Sequence, residues 1–265
     1  MSEERRYPPF AASQLPHVGT YKRVLPVSLE RLYENALDWE HLPYVHPSSF
    51  SSIELEDAGP WGWRASTTTS RDRRLVLELR LDRDCRRWIT RTLAGSNAGS
   101  EIWTHAFEIS ARRTDIVVDF FVSGVAVDDR TRAGNAFCDT YQQLYDEDVE
   151  MMVERQRQLD RRIENERDGE LLCLGAVDAL TLPLRAELGG RSFIVTRVDG
   201  ELLAHAARCP HRLGPLEAAV DGVVECPWHG YRFDVKSGRC LTGQACRLPR
   251  GPTVTVRDER VWLER

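Results

Sequence analysis

The stretch TRAGNAFCDTYQQLYDEDVEMMVERQRQLDRRIENER, residues 131–167, contains no proline, and Gly134 is its only glycine. Long and charged side chains dominate it. Such residues lose little freedom in a helix, so the segment reads as one long helix. At about 100° per residue, Phe137, Tyr141, Leu144, Tyr145, Met151, Met152 and Leu159 fall within about 60° of Asp148. Asp148 thus sits in the middle of an apolar stripe, with Asp146 and Glu147 expected to point away from it. A carboxylate on a core-facing stripe is costly unless it is paired or bound to a cation. Asp148 is therefore a candidate metal ligand, although a buried salt bridge or hydrogen bonds would also satisfy it.

Upstream of this helix, Tyr21 to Val27 reads as a strand, and Ser28 caps a helix running to about Glu40. Arg31 stands where a capping box needs Glu or Gln, so the box is absent. Pro43 and Pro47 break the chain beyond that helix. Strand-like segments come at about 50–56, 61–70, 74–82, 86–93, 101–110 and 114–123, divided by turns such as Arg71-Asp72-Arg73. Regular spacing without intervening helices implies an antiparallel meander. A curved antiparallel sheet closed by a long C-terminal helix is similar to the helix-grip (START-like) fold. That resemblance implies an apolar cavity between sheet and helix, where Tyr141, Met151 and Met152 either line the cavity or simply form core. After about Gly169 come short strands with Gly and Pro turns. The chain is read as α+β, with an N-terminal arm (1–18), a helix-grip domain (19–167) and an all-β domain (168–265).

At 265 residues there is room for two modest cores. With 36 basic against 41 acidic side chains and no basic run, nothing points to nucleic acid or a membrane surface. The N-terminal MSEERRYPPF lacks the apolar region of a signal peptide, and no apolar stretch reaches the roughly 18 residues of a membrane span. A cytoplasmic protein with reduced thiols is the expectation.

The all-β domain carries Cys209-Pro210-His211 and Cys226-Pro227-Trp228-His229. The pattern is C-x-H, then 14 residues, then C-x-x-H. Two thiolates on one iron and two imidazoles on the other can hold a [2Fe–2S] cluster of the Rieske type. A zinc site with two Cys and two His is the alternative reading. The extended motifs CPHRLGPL and CPWHGYRFD, with Ser237-Gly238 behind them, resemble the Rieske domains of oxygenases and Rieske ferredoxins. The gap between the pairs is slightly shorter than is usual there. Respiratory members carry an extra cysteine in each loop, but the matching positions here are Gly214 and Trp228.

Asp38, His41 and His46 form D-x-x-H-x-x-x-x-H. Asp38 and His41 would share a helical face at i, i+3, and Pro43 would let the chain re-aim His46 toward the same point. Two histidines five apart are also common as satisfied loop groups. With Glu34, the segment fills the (D/E)-x-x-x-D-x-x-H-x-x-x-x-H motif of Rieske non-haem iron oxygenases, and Asn35 also recurs there. That resemblance implies a mononuclear Fe(II) held by His41, His46 and a carboxylate, matching a two-histidine, one-carboxylate facial triad. Asp38 would bridge an iron histidine to a cluster histidine. The family's E-D step on its last long helix matches Glu147-Asp148. Separately from its place on the apolar stripe, this selects Asp148.

The resemblance implies an oxygenase that takes electrons from NAD(P)H through a separate reductase or ferredoxin. It would use O2 to hydroxylate, dihydroxylate or demethylate a small apolar or aromatic substrate. The order is reversed, since ordinary members place the Rieske domain first. From Asp148 to Glu166 is about 27 Å of helix at 1.5 Å per residue. The cluster domain would therefore fold back along the helix or dock on a neighbouring chain. The family's head-to-tail assembly favours a homo-oligomer, a trimer. The alternative is a non-catalytic START-like binding module fused to a Rieske electron carrier. His17, His105 and His205 are read as structural or surface residues.

Overall fold

The computed structural model describes residues 13–164 and 170–265. Most of the expected N-terminal arm, and the last residues of the expected long helix (165–167), lie outside them. The chain divides into two compact units, one ending at Val153 and the other starting at Glu154.

In the first unit, β1 (His17–Leu25) leads into α1 (Leu29–Leu37), a 3-10 turn (Trp39–His41) and the short α2 (Leu42–Val45). Six strands follow without a helix between them: β2 (Phe50–Gly59), β3 (Gly62–Thr69), β4 (Arg74–Asp82), β5 (Arg87–Ala94), β6 (Glu101–Ser110) and β7 (Arg113–Phe121). The long α3 (Arg130–Glu164) comes next, and its residues from Glu154 on belong to the second unit. The seven strands form one antiparallel sheet in the order β1-β7-β6-β5-β4-β3-β2. The meander thus ends beside the first strand, with Tyr21 opposite Val118 and Leu25 opposite Thr114. Sheet and long helix together make a helix-grip (START-like) fold, so the molecule is mixed α+β.

Alternation dictates which face of the sheet is buried. Ile116, Val118 and Phe120 of β7 are fully buried, and each such side chain contributes roughly 1.5–3 kcal/mol. Phe137 and Tyr141 of α3 pack on Phe120 with ring centroids 5.1 and 5.0 Å away. Met152 and Tyr145 complete that helical face of the core, as the stripe on residues 131–167 implies. Gly134 sits where α3 meets β1, and a Cβ there would stand 2.1 Å from the Val18 carbonyl oxygen. The one glycine of the helix is therefore a close-approach position.

Ser28 is the cap the sequence implies, its Oγ accepting from the Arg31 N–H at 3.2 Å. The helix it starts is shorter than expected. Asp38 leaves helical geometry (φ −89°, ψ 82°), and its N–H turns back to the Asn35 carbonyl. Pro43 does not break a helix. It stands in the first turn of α2, where a missing N–H removes no intrahelical bond.

In the second unit, β9 (Leu184–Leu188), β10 (Arg191–Val198) and β11 (Glu201–Ala206) form one antiparallel sheet. A second contains β8 (Leu171–Ala176), β14 (Thr253–Arg257) and β15 (Arg260–Glu264). Phe193, Val195, Leu188 and Leu263 fill the core of this unit. The hairpin of β12 (Val223–Glu225) and β13 (Arg232–Asp234) stands apart from both sheets. No helix among the described residues is long and apolar enough to cross a membrane.

Candidate metal centres

The break after Leu37 shapes the first centre. Along an unbroken helix, residues five apart point about 140° from each other. Here the chain bends at Asp38 and turns again at His46, so His41 and His46 cap the two ends of α2. Both rings face inward, 3% and 1% exposed, with centroids 5.2 Å apart. From α3, Asp148 arrives between them, 8% exposed. Its Oδ1 lies 3.1 Å from His46 Nε2 and 3.3 Å from His41 Nε2. All three ligand atoms fall within 4.8 Å of one another.

Asn35 Nδ2 donates to the same Oδ1 at 3.0 Å. Among the described residues His41 Nδ1 has no hydrogen-bond partner, a costly state for a buried polar atom. Burial alone would push the Asp148 carboxyl up, but hydrogen bonds from His41 and His46 hold it well below the usual range. Burial also disfavours the His46 cation, yet Asp148 and Glu147 outweigh it and raise that imidazole. Two imidazole nitrogens converging on one buried carboxylate suit a divalent cation, and the two-histidine, one-carboxylate set is that of non-haem iron.

Glu147 corrects the expectation that it points away from the stripe. Its Oε2 lies 2.6 Å from His46 Nδ1. Gln143 Nε2 in turn donates to Glu147 Oε1 at 3.1 Å. A wheel of Cα directions misses this contact. Helical side chains lean toward the N-terminus, and the glutamate arm is long enough to reach around the helix. Spacing does mark Gln143 and Glu147 as an i, i+4 pair. Asp146 does turn away, pairing with Arg23 at 2.6 Å. Asp38 is buried at the end of α1, outside the group of three.

The second centre is built from two tight loops. Between β11 and the first loop's exit, the Leu213 N–H donates to the Cys209 carbonyl and the Cys209 N–H to that of Gly214. In the second loop, between β12 and β13, the Gly230 N–H donates to the Cys226 carbonyl and the Cys226 N–H to that of Tyr231. Leu213 (φ 64°) and Gly230 (φ 63°) turn the chain in the left-handed region. Cys209 and Cys226 are each 1% exposed and His229 is 3% exposed. The His211 and His229 rings lie 4.5 Å apart, and Tyr231 stacks on His211 at 4.8 Å. A hydrogen bond from Cys209 holds the Cys226 thiol below its usual range, while the Cys209 thiol is pushed up. Gly214 closes the cradle, since a Cβ there would stand 2.9 Å from Cys226 Sγ and from the Trp228 ring. Two buried thiols facing two packed imidazoles fit a cluster with mixed ligation.

The profile of the Rieske [2Fe-2S] domain matches residues 166–252. The ferredoxin component of the p-cumate 2,3-dioxygenase system of Pseudomonas putida is 33% identical over 90 residues, 31% of this chain and 72% of that protein. The chain belongs to the Rieske [2Fe–2S] family. Its Rieske domain accounts for a [2Fe–2S] cluster and for electron transfer. Methylxanthine N3-demethylase NdmB of Pseudomonas putida is 33% identical over 70 residues, 24% of this chain. The chain covers only 19% of that demethylase. Among solved structures, a START superfamily protein from Mycobacterium smegmatis aligns with 52% of this chain and 99% of its own (TM-score 0.45, 12% identity). The Zhui aromatase/cyclase of Streptomyces sp. R1128 aligns with 57% of this chain and 97% of its own (TM-score 0.41, 16% identity).

The remaining histidines take structural places. His205 is 1% exposed, with Nδ1 3.0 Å from the Ala206 carbonyl oxygen, and His17 pairs with Asp119 at 3.1 Å on the surface. His105 stacks beside Phe107 on β6.

Proposed function

We propose that this Rieske protein is the catalytic component of a non-haem iron oxygenase with its two domains in reversed order. The carrying observation is the convergence of His41 and His46 Nε2 on Asp148 Oδ1 in a buried site. In this reading His41, His46 and Asp148 hold a mononuclear Fe(II), and Cys209, His211, Cys226 and His229 hold the cluster. When bound, the cluster supplies single electrons and the iron supplies O2 activation.

The chain's own groups then have defined tasks. Asn35 holds Asp148 Oδ1 in place, and Glu147 accepts the His46 Nδ1 proton in a hydrogen bond, leaving Nε2 as the donor to metal. Burial and Asp148 raise the Tyr141 and Tyr145 phenols, so both stay neutral beside the carboxylate. Asp38 is assigned the bridge between an iron histidine and a cluster histidine across subunits of a homotrimer. A separate NAD(P)H-dependent reductase or ferredoxin feeds the cluster. A small apolar or aromatic molecule is hydroxylated, dihydroxylated or demethylated in the cytoplasm.

A second reading is a START-like binding module fused to an electron carrier. The 72% coverage of a ferredoxin component favours it. Metal analysis of anaerobically purified protein separates the two. The oxygenase carries about three irons per chain, and the carrier about two. Two irons, with no O2 uptake on any substrate when a surrogate reductase is supplied, would overturn the oxygenase reading.

A further inference from the structure

Within the second unit, a cavity of about 130 Å³ opens between the last turns of α3 and the strands that lead to the first cluster loop. It approaches the roughly 150 Å³ of cavities that admit benzene. Arg161, Arg191, Arg208 and Arg250 line it, together with Gln158 and Ser192, whose hydroxyl donates to Glu187 Oε1 at 3.2 Å. They come from separate parts of the unit: α3, the start of β10, the entry to Cys209 and the approach to β14.

Two nearby carboxylates, Glu154 and Glu187, answer charge on this lining. Glu154 Oε1 lies 2.8 Å from Arg208 and Glu187 Oε1 lies 3.7 Å from Arg161, the second a loose and exposed contact. Arg191 has a partner of its own. Arg250 has no carboxylate partner among the described residues. Burial lowers the Arg208 pKa, and Arg185 and Arg161 push it the same way despite Glu154. Like charges gathered around a concavity are unfavourable unless something anionic joins them. Guanidinium forks offer paired donors suited to oxyanions, more so than to a chloride ion. Gln158 donates to Glu154 Oε1 at 2.8 Å, which holds the salt-bridging carboxylate in place.

We propose that this cavity binds a small tetrahedral oxyanion, either inorganic phosphate or a phosphate monoester. Because Arg208 adjoins Cys209, a bound dianion also disfavours reduction of the neighbouring cluster and lowers its midpoint potential.

Calorimetry on the full-length holoprotein, at constant ionic strength made up with chloride, tests this. Inorganic phosphate, glycerol 3-phosphate and malonate are the probes. Saturable binding of phosphate or the monoester is expected, and whichever binds more tightly identifies the source. Arg250→Gln and Arg161→Gln, both at exposed positions, should each weaken it about tenfold with the cluster spectrum unchanged. The phosphate-dependent fall in cluster potential should shrink with them. Binding that chloride abolishes, or that both variants keep at wild-type strength, would overturn the proposal. So would a preference for malonate, which would make the ligand a carboxylate. Phosphate indifference, with Arg250→Gln slowing electron entry from an acidic ferredoxin, would make the patch a protein-docking surface and overturn it too. The binding readout stands whether or not the first unit holds iron.

Discussion

The two candidate centres are assembled in opposite ways. The cluster loops lie within Cys209–His229, and short backbone hydrogen bonds shape each loop locally. At the other centre, His46 and Asp148 are 102 residues apart, and the whole sheet must close before they meet. A local centre leaves a contiguous motif, which is why the Rieske profile matches residues 166–252. A centre made by closure leaves only fragments. Its chemistry becomes specific once α3 docks.

The contrast breaks most visibly when one ligand is removed from each centre. On the proposed oxygenase reading, Asp148→Ala should remove about one iron per chain and all turnover, leaving the visible spectrum of the cluster intact. Cys226→Ser should erase that spectrum while the mononuclear metal stays. Metal analysis beside absorption spectra reads both, and loss of both signals in either variant would show that the centres are not separable.

Support of the ligands comes next. Glu147→Gln should weaken metal binding about 10–100-fold, because the carboxylate no longer fixes the His46 tautomer. Metal titration of the stripped protein measures it, with circular dichroism checking that the fold is kept. Unchanged affinity would reduce Glu147 to a surface contact.

In the cluster cradle, Gly214→Ala should cost about 1–3 kcal/mol, since the new methyl must displace the Trp228 ring or the Cys226 loop. Thermal unfolding followed at the cluster absorption would show it. A variant as stable as the wild type would mean that the loops are looser than their contacts imply.

The smallest effect concerns the sheet alone. Glu78 is 4% exposed and bridged by Arg64 at 2.6 Å and Arg80 at 2.8 Å. Burial pushes its carboxyl up, but the two guanidinium groups outweigh burial and hold it below the usual range. A depressed folded pKa stabilises above the unfolded value near 4.3 and loses that contribution as pH falls. Denaturant melts should therefore show Glu78→Gln costing about 1–2 kcal/mol at pH 7 and markedly less near pH 3. An equal cost at both pH values would contradict the ion-pair account.

Much was legible in one dimension. The strands from Phe50 to Phe121 lie close to the segments that the turns divide, Ser28 caps its helix, and the apolar stripe of α3 faces the sheet. These are local or periodic features, and backbone geometry turns them into structure with little help. Asp148 was visible because a carboxylate on an apolar stripe violates that pattern.

Other features depended on packing. The path after Leu37 bends at Asp38 rather than at Pro43, and that bend aims both histidines inward. Glu147 reaches His46 because a flexible side chain can turn where its Cα direction does not. The unit boundary within α3 has no composition change to mark it. Residue type and period set the elements and name the donors, through sterics and burial that act within a few residues. Which donors meet depends on distances across the closed sheet, and no spacing along the chain encodes them.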